Sequence, residues 1–392
     1  MEIKPKKLIL HIAPTPFFSD RGCHIRIEGV VNCLANLGFD NLVCTYHHGR
    51  DVDGIRTSRI STIKNYTKTE AGPSKYKLWA DLKLLFLVLK EVRRNRPSVI
   101  HAHLHEGLMI ALVAKCILFW KRIPLVADMQ GSLFGELESH GSFKKRPYLK
   151  WPVKWVEASL MFFARRVVCS SSHSLDKFKS EFGLSEERIS LVQDGAQLAD
   201  PISEAERNVL LNKYQLPKDT PIVVYSGALL DSKGLNELQM LIKTSVNKTR
   251  VHFLIIGYPV EGLRSFLLES ELSQFCTLTG QVDFCDLSKL LQLADLAVDP
   301  KFNDAGEGSG KMLNYLACGL PVLAFSTQNN KDFLPVGSTL FGDVSAMAEG
   351  LKALADNKSE RERIGKLNKQ HFIENYSWAQ TQQQLDDVYQ TI

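Results

Sequence analysis

Short apolar runs alternate with longer stretches of helical periodicity along this chain. Continuous apolar runs predict strands over Leu8–Ala13, Asn41–Thr45, Val99–His101, Pro124–Ala127 and Val167–Cys169. A second series covers Ile222–Tyr225, Val251–Ile256, Cys276–Leu278, Leu296–Val298 and Pro321–Ala324. Between them, apolar residues three and four apart predict helices such as Ile25–Leu37, Leu78–Arg94 and Ser288–Leu293. Strands apolar at every position are buried on both faces, so the pattern predicts an α/β architecture of parallel sheets covered by helices. The uniformly apolar Leu82–Leu89 reads as part of a buried helix.

The series restarts near residue 220, after a polar, helix-prone segment from Asp200 to Thr220 that reads as a linker. Two doubly wound parallel-sheet domains are expected, over residues 1–200 and 201–376, facing across a cleft. Residues 377–392, with the helical pattern Trp378 to Tyr389, are expected to cross back onto the first domain. In such folds ligands bind outside the carboxyl ends of the strands, which directs attention to the strand-to-helix turns.

A length of 392 residues fits two cores, and 44% hydrophobic with 23% charged residues is the composition of a globular protein. The formal net charge of +5 is mildly basic and far from that of a nucleic-acid-binding chain. Eight cysteines without a CxxC pair read as buried thiols in a reducing compartment. Met1 to Lys7 is charged and carries no signal-peptide core. The longest apolar stretch, Leu108 to Trp120, contains Lys115 and is shorter than the roughly 20 residues a bilayer span needs. A cytoplasmic protein with at most peripheral membrane contact is expected.

The turn with most chemistry is Glu307-Gly308-Ser309-Gly310-Lys311, leading through Asn314 to Gly319 and Pro321. It reads as an anion-binding loop opening a short helix. Ser309 suits an N-cap, Gly308 and Gly310 let backbone N–H groups approach a ligand, and the helix N-terminus and Lys311 favour a negative charge. Glu307 can accept from sugar or ribose hydroxyls. Gly319 suits a left-handed C-cap. Earlier, Ser226-Gly227-Ala228 follows a strand, and Lys233 precedes Gly234 at a predicted helix start. A lysine there opposes the helix dipole unless it serves an anion. Lys233 and Lys311 together could neutralise a diphosphate without metal. In the first half, the turns offer Arg21 and Gly22, then Asp128 and Gln130, then Asp194. His101-Ala102-His103-Leu104-His105 ends a strand. Zinc is not expected there, because no third ligand at metal spacing accompanies the pair; His103, or alternatively His105, is expected to act singly. Asp51-Val52-Asp53 lacks supporting residues for a metal.

On these residues the chain resembles glycosyltransferase family 4, retaining transferases of the GT-B fold that use nucleotide-sugars. The resemblance covers nearly the whole chain, through the Arg21-Gly22 loop, His101-Ala102-His103, Val192-Gln193-Asp194-Gly195, Ser226-Gly227 with Lys233-Gly234, Gly280-Gln281-Val282, and Glu307 to Pro321. It implies two Rossmann-like domains, the second binding the donor. His103, Lys233 and Glu307 would be catalytic, and Gly227, Lys233, Glu307, Gly308, Ser309, Gly310, Lys311 and Asn314 would bind donor. Arg21, Gly22, His105, Asp128, Gln130 and Asp194 would face the acceptor or the cleft. It further implies a nucleoside-diphosphate sugar donor, a glycan or lipid-linked acceptor, no cofactor and no metal. Two positions depart from the family's usual pattern: Asn314 stands in place of a second glutamate, with Glu307 one residue late, and Ala228 stands where an arginine is common. Alternative activities of the same architecture are a sugar-nucleotide epimerase and a non-catalytic nucleotide-binding subunit.

Residues 144–166 interleave cations with aromatics, from Lys144-Lys145-Arg146 through Trp151 and Trp155 to Arg165-Arg166. That composition suits an anionic membrane surface. Peripheral contact through this segment, at the inner face of a membrane, is expected.

Overall fold

The computed structural model describes residues 6–19, 22–68, 75–139, 143, 146–302 and 310–392. The described residues divide into two units, those up to 195 with 378–392, and 196–302 with 310–377.

The first unit runs β1 (Leu8–Ala13), α1 (Gly22–Asn36), β2 (Asp40–Thr45), β3 (Thr57–Arg59), α2 (Lys77–Asn95), β4 (Val99–His103), α3 (Leu104–Ile117), β5 (Leu125–Met129), α4 (Leu133–Ser139), α5 (Lys150–Phe162), β6 (Arg166–Cys169), α6 (Ser172–Phe182) and β7 (Ile189–Leu191). Its sheet has the order β3-β2-β1-β4-β5-β6-β7, and every pairing is parallel. The chain moves outward from β1 to β3, then crosses to the other side of β1. The loops after β1 and β4 therefore part in opposite directions and leave a crevice at the carboxyl ends.

The second unit repeats the plan with α7 (Glu204–Lys213), β8 (Ile222–Ser226), α8 (Leu235–Val246), β9 (His252–Ile256), α9 (Glu261–Glu269), β10 (Cys276–Gly280), α10 (Phe284–Leu291), β11 (Leu296–Asp299), α11 (Gly310–Ala317), β12 (Val322–Phe325), α12 (Gln328–Phe333), β13 (Thr339–Phe341), α13 (Val344–Ala355) and α14 (Lys358–Asn375). Its parallel order is β10-β9-β8-β11-β12-β13, so its switch point lies between β8 and β11. Strand residues such as Leu10, Ile12, Ala127, Val224 and Ala297 are fully buried, as non-alternating apolar runs require. The segment 200–220, read as a linker, contains α7 and belongs to the second unit.

A last helix, α15 (Trp378–Tyr389), belongs to the first unit. Its buried residues Thr381, Leu385, Val388 and Tyr389 lie on one face at helical spacing. Trp378 sits in a slot made by two absent side chains. A Cβ on Gly29 would lie 2.0 Å from the indole, and one on Gly195 2.6 Å from it. Gly29→Ala is therefore expected to cost about 1–3 kcal/mol by overpacking, read as a lower urea midpoint. An unchanged midpoint would mean that the α15 contact does not hold this unit together.

Leu82–Leu89 is not wholly buried: Leu84, Val88 and Leu89 face the core, while Leu82 and Phe86 are exposed. An apolar run fixes the helix but not which side of it meets the core.

Candidate functional site

At the first switch point α1 places a cation under the sheet ends. Arg26 is 2% exposed among Ile27, Val30 and Val31. Its Nε donates to both Asp128 oxygens (2.9 and 3.1 Å) and Nη2 to Asp128 Oδ1 at 2.6 Å. Nη1 donates to the Val192 carbonyl at 2.9 Å and to Asp194 Oδ1 at 2.6 Å. Burial opposes the guanidinium charge, but the pull of Asp128 and Asp194 outweighs it and holds Arg26 charged. Burial likewise opposes ionisation of Asp128, and Arg26 with His103 overcomes it, holding that carboxyl well below the usual range.

A histidine chain continues from Asp128. His103 Nδ1 lies 2.8 Å from Asp128 Oδ2, His103 Nε2 3.1 Å from His11 Nδ1, and His11 Nε2 3.0 Å from Asn41 Oδ1. Asn41 donates its amide to the Val31 and Phe39 carbonyls, which fixes its oxygen toward His11. His11 Nε2 must then donate, which leaves Nδ1 of the neutral ring as an acceptor toward His103. The buried guanidinium of Arg26 thus pairs with both Asp128 and Asp194.

Burial, then the electrostatic influence of neighbouring His103, lowers the pKa of His11 from 6.5 to about 3. His101, whose Nδ1 lies 2.7 Å from the Tyr389 hydroxyl, is also pushed well down by burial and by the neighbouring imidazoles. The unfolded chain therefore binds protons that the folded chain refuses, so stability falls as pH drops from 6.5 toward 3. Each such group contributes up to about 1.4 kcal/mol per pH unit in that window. Asp128, with a depressed folded pKa, loses its contribution as pH falls below the ordinary carboxylate range. Urea midpoints are expected to fall steeply between pH 6.5 and 4, and less steeply in His11→Asn. Equal slopes would contradict the buried neutral ring.

His101, His103 and Asp128 offer ligand atoms within 4.8 Å of one another, so a third ligand exists that spacing along the chain did not reveal. Both Asp128 oxygens are already engaged, and the guanidinium beside them repels a second cation. The residues fit a hydrogen-bonded network better than a metal site.

After β4 the chain turns through Leu104, whose φ is 63°. His105 Nε2 lies 3.0 Å from Glu157 Oε1. Glu157, fully buried on α5, also accepts the Leu133 and Phe134 N–H groups at 2.9 Å each, capping α4 from another helix. His105 has 13% of its side chain exposed, whereas His103 has none.

At the second switch point β8 ends in Ser226, whose N–H donates to the Tyr315 hydroxyl at 2.7 Å. Gly227 follows with φ 138°, its N–H donating to the Ile256 carbonyl at 2.9 Å. Gly257, just after β9, meets it: a Cβ there would lie 1.8 Å from the Gly227 oxygen. The Tyr225 hydroxyl donates to the Ala228 carbonyl at 3.0 Å, fixing the next residue of the turn. Lys233 closes a 3-10 turn, Asp231–Lys233, and Gly234 (φ 88°) starts α8. A Cβ on Gly234 would meet the Pro300 carbonyl at 2.5 Å, so this turn and the loop after β11 are held in contact.

Lys311, in the first turn of α11, places Nζ 2.6 Å from Asp299 Oδ1 and 4.6 Å above the Tyr225 ring. Burial opposes its charge, but Asp299 outweighs that and raises its pKa. The helix ends in a Schellman motif, with Leu320 N–H to the Tyr315 carbonyl, Gly319 N–H to the Leu316 carbonyl and φ 70° at Gly319.

Residues 22–200 match the family model for Glycosyltransferase Family 4, and residues 206–371 match that for Glycosyl transferases group 1. The chain belongs to glycosyltransferase family 4. Sulfoquinovosyl transferase SQD2 of Arabidopsis thaliana is 24% identical over 393 residues, covering 96% of this chain and 71% of that protein. The capsular polysaccharide biosynthesis glycosyltransferase CapM of Staphylococcus aureus is 23% identical over 337 residues, 80% of this chain and 82% of that one. Sucrose-phosphate synthase from Thermosynechococcus elongatus superposes with a TM-score of 0.81 at 17% identity, covering 98% of this chain and 99% of that one. Anabaena Alr3699/HepE, solved with UDP and glucose, superposes at 0.78 and 16% identity, covering 98% and 100%. The fold is GT-B.

In this transferase the expected site residues separate into three groups. Gly227, Lys233, Gly310, Lys311 and Asn314 gather on elements of the second switch point. Gly22, His103, His105, Asp128, Gln130 and Asp194 lie at the carboxyl ends of the first sheet or on α1. Arg21, Glu307, Gly308 and Ser309 lie outside the described residues. Three expectations change. His103 was expected to be catalytic and Asp128 to face the acceptor or the cleft, but both are completely buried and engaged with protein partners. Lys311 was expected to neutralise a diphosphate, but its charge is balanced by Asp299. The sequence reading overlooked Arg26, Asp299, Tyr225 and Tyr315. Arg26 carried a signal, a lone cation on the apolar face of a predicted helix.

Proposed function

We propose that this glycosyltransferase moves a sugar, with retention at the anomeric carbon, from a nucleoside-diphosphate sugar to a glycan or lipid-linked acceptor at the inner face of a membrane, without a metal. The observation that carries the reading is the second switch point, where Tyr315 holds Ser226, Gly257 packs against Gly227, and Lys233 follows on the adjoining turn. Supporting it, Alr3699/HepE of the same fold was solved with UDP and with UDP-glucose.

Lys233 and backbone N–H groups near Gly227 and Gly310 would stabilise the diphosphate as its bond to the anomeric carbon breaks. Lys311, balanced by Asp299, would shape the site more than charge it. Glu307 would hold sugar hydroxyls and Asn314 the ribose. His105 would face the sugar, its ring oriented by Glu157 and its turn by His103. The acceptor oxygen would bond to the face the phosphate leaves, its proton passing to a phosphate oxygen, so no separate base is required. Ala228 and Asn314, lacking charges common in the family, favour as second reading a non-catalytic nucleotide-binding subunit.

The test is transfer from UDP- and GDP-sugars in EDTA, with the product's anomeric configuration read by NMR. Retention in EDTA is expected. An inverted product, or activity restored only by Mg²⁺, would overturn the mechanism. Free epimerised sugar would favour the epimerase, and nucleotide binding without turnover the non-catalytic subunit.

A further inference from the structure

Three neighbouring helices of the first unit carry apolar stripes on faces turned away from the core. On α2 the stripe is Leu78, Leu82 and Phe86, at i, i+4 and i+8, with Leu78 83% exposed. On α3 it is Met109, Val113 and Ile117 at the same spacing, continued by exposed Phe119 and Trp120 in the 3-10 turn Phe119–Lys121. On α5 it is Trp151, Trp155 and Phe162, at i, i+4 and i+11. Because α3 packs against both α2 and α5, the three stripes lie on adjacent helices. Each helix also has a buried face, so none of these side chains is left over from the core.

The charges on this layer are one-sided. The acidic residues of α2, α3 and α5 are Asp81, Glu91, Glu106 and Glu157. Glu91 and Glu157 are buried, Asp81 accepts from the Tyr46 hydroxyl at 2.5 Å, and Glu106 pairs with Lys77 at 3.1 Å. The exposed charges are cations, with Lys90, Arg93 and Arg94 ending α2 and Arg122 and Arg165 following α3 and α5. At about 100° per residue, Lys90 and Arg93 fall on the same face of α2 as Leu82 and Phe86. Tryptophan and phenylalanine flanked by lysine and arginine suit the boundary between headgroups and acyl chains. No described helix is long and apolar enough to cross a membrane.

We propose that α2, α3 with its 3-10 turn, and α5 together form a surface that docks on an anionic lipid bilayer. This deepens the lipid-linked acceptor reading and rests on it only for the identity of the acceptor. The proposed surface is wider than the expected 144–166 segment, because it adds the exposed stripes on α2 and α3 to that on α5. A second copy of the chain is a poorer occupant, since pairing this face with itself would bring like charges together.

The test is co-sedimentation of the full chain with vesicles of phosphatidylcholine, with and without phosphatidylglycerol. The wild type, Leu82→Gln/Phe86→Gln on α2, Trp155→Gln on α5 and Lys90→Gln/Arg93→Gln would be compared. All five substituted positions lie outside the site described above, and urea midpoints check folding. Binding to the anionic vesicles is expected to exceed binding to neutral ones and to weaken with salt. Each variant should lose about tenfold or more in affinity. Equal binding to both vesicle types, or unchanged binding in the α2 and α5 variants, would overturn the proposal. A dimer in sizing that these variants dissociate, without vesicle binding, would also overturn it and assign the face to self-association. Nucleotide binding in the same variants separates this failure from failure of the transferase reading: if vesicle binding is absent but nucleotide binding persists, only the docking surface is wrong.

Discussion

Arg26→Met is expected to destabilise the first unit by about 3–5 kcal/mol, the range for removing one partner of a buried ion pair. The side chain is 2% exposed and makes five hydrogen bonds to Asp128, Asp194 and the Val192 carbonyl. Methionine approximates its volume but leaves two carboxylates and a carbonyl without their donor. Asp128 would keep only His103, and its depressed pKa would rise. The urea midpoint should therefore fall sharply at pH 7, and the loss should shrink at acid pH as the carboxylates protonate. The triple variant Arg26→Met/Asp128→Leu/Asp194→Leu should recover part of the loss, because it removes the uncompensated charges. A midpoint within experimental error of the wild type would show that the network does not hold α1 to the ends of β5 and β7.

Gly257→Ala is the second large effect, and it should appear in nucleotide binding. A Cβ at residue 257 would lie 1.8 Å from the Gly227 oxygen, far inside contact distance, and the obstacle is backbone. The Gly227 turn must move by more than an ångström, carrying its N–H away from the Ile256 carbonyl and disturbing the Ser226–Tyr315 bond. If this turn cradles a diphosphate, nucleotide affinity should fall at least about tenfold, equivalent to about 1.4 kcal/mol. Gly262→Ala, on α9 with nothing within 4 Å of its Cβ, is the control and should bind normally. Equal affinities in the two variants would remove the Gly227 turn from the donor site.

The architecture was legible because it rests on patterns local in sequence. Leu8–Ala13 and Trp378–Tyr389 have the same bounds in pattern and in structure. The left-handed C-cap at Gly319 followed from its place after an apolar helix. The strands Thr57–Arg59, Ile189–Leu191 and Thr339–Phe341 were not among those predicted; each has only three residues and lies at a sheet edge or beside one, where little apolar sequence is required. The site was legible as a set of turns but not as a network. Asp128 and Asp194 look like exposed turn carboxylates until Arg26 arrives from 102 and 168 residues away. Lys311 reads as a free cation until Asp299, at the end of a strand in another turn of the chain, is found beside it. Pairings between distant residues decide whether a charge is available to a ligand, and no local spacing records them.

The measurement that bears most directly on the account is calorimetric titration of wild type and Lys233→Ala with UDP and with GDP, in EDTA. Saturable binding of one nucleotide, weakened at least about tenfold by the substitution, is the predicted result. It would place the diphosphate beside the Asp231–Lys233 turn and name the donor class. Binding of neither nucleotide, or equal binding by both proteins, would contradict a donor site at the second switch point.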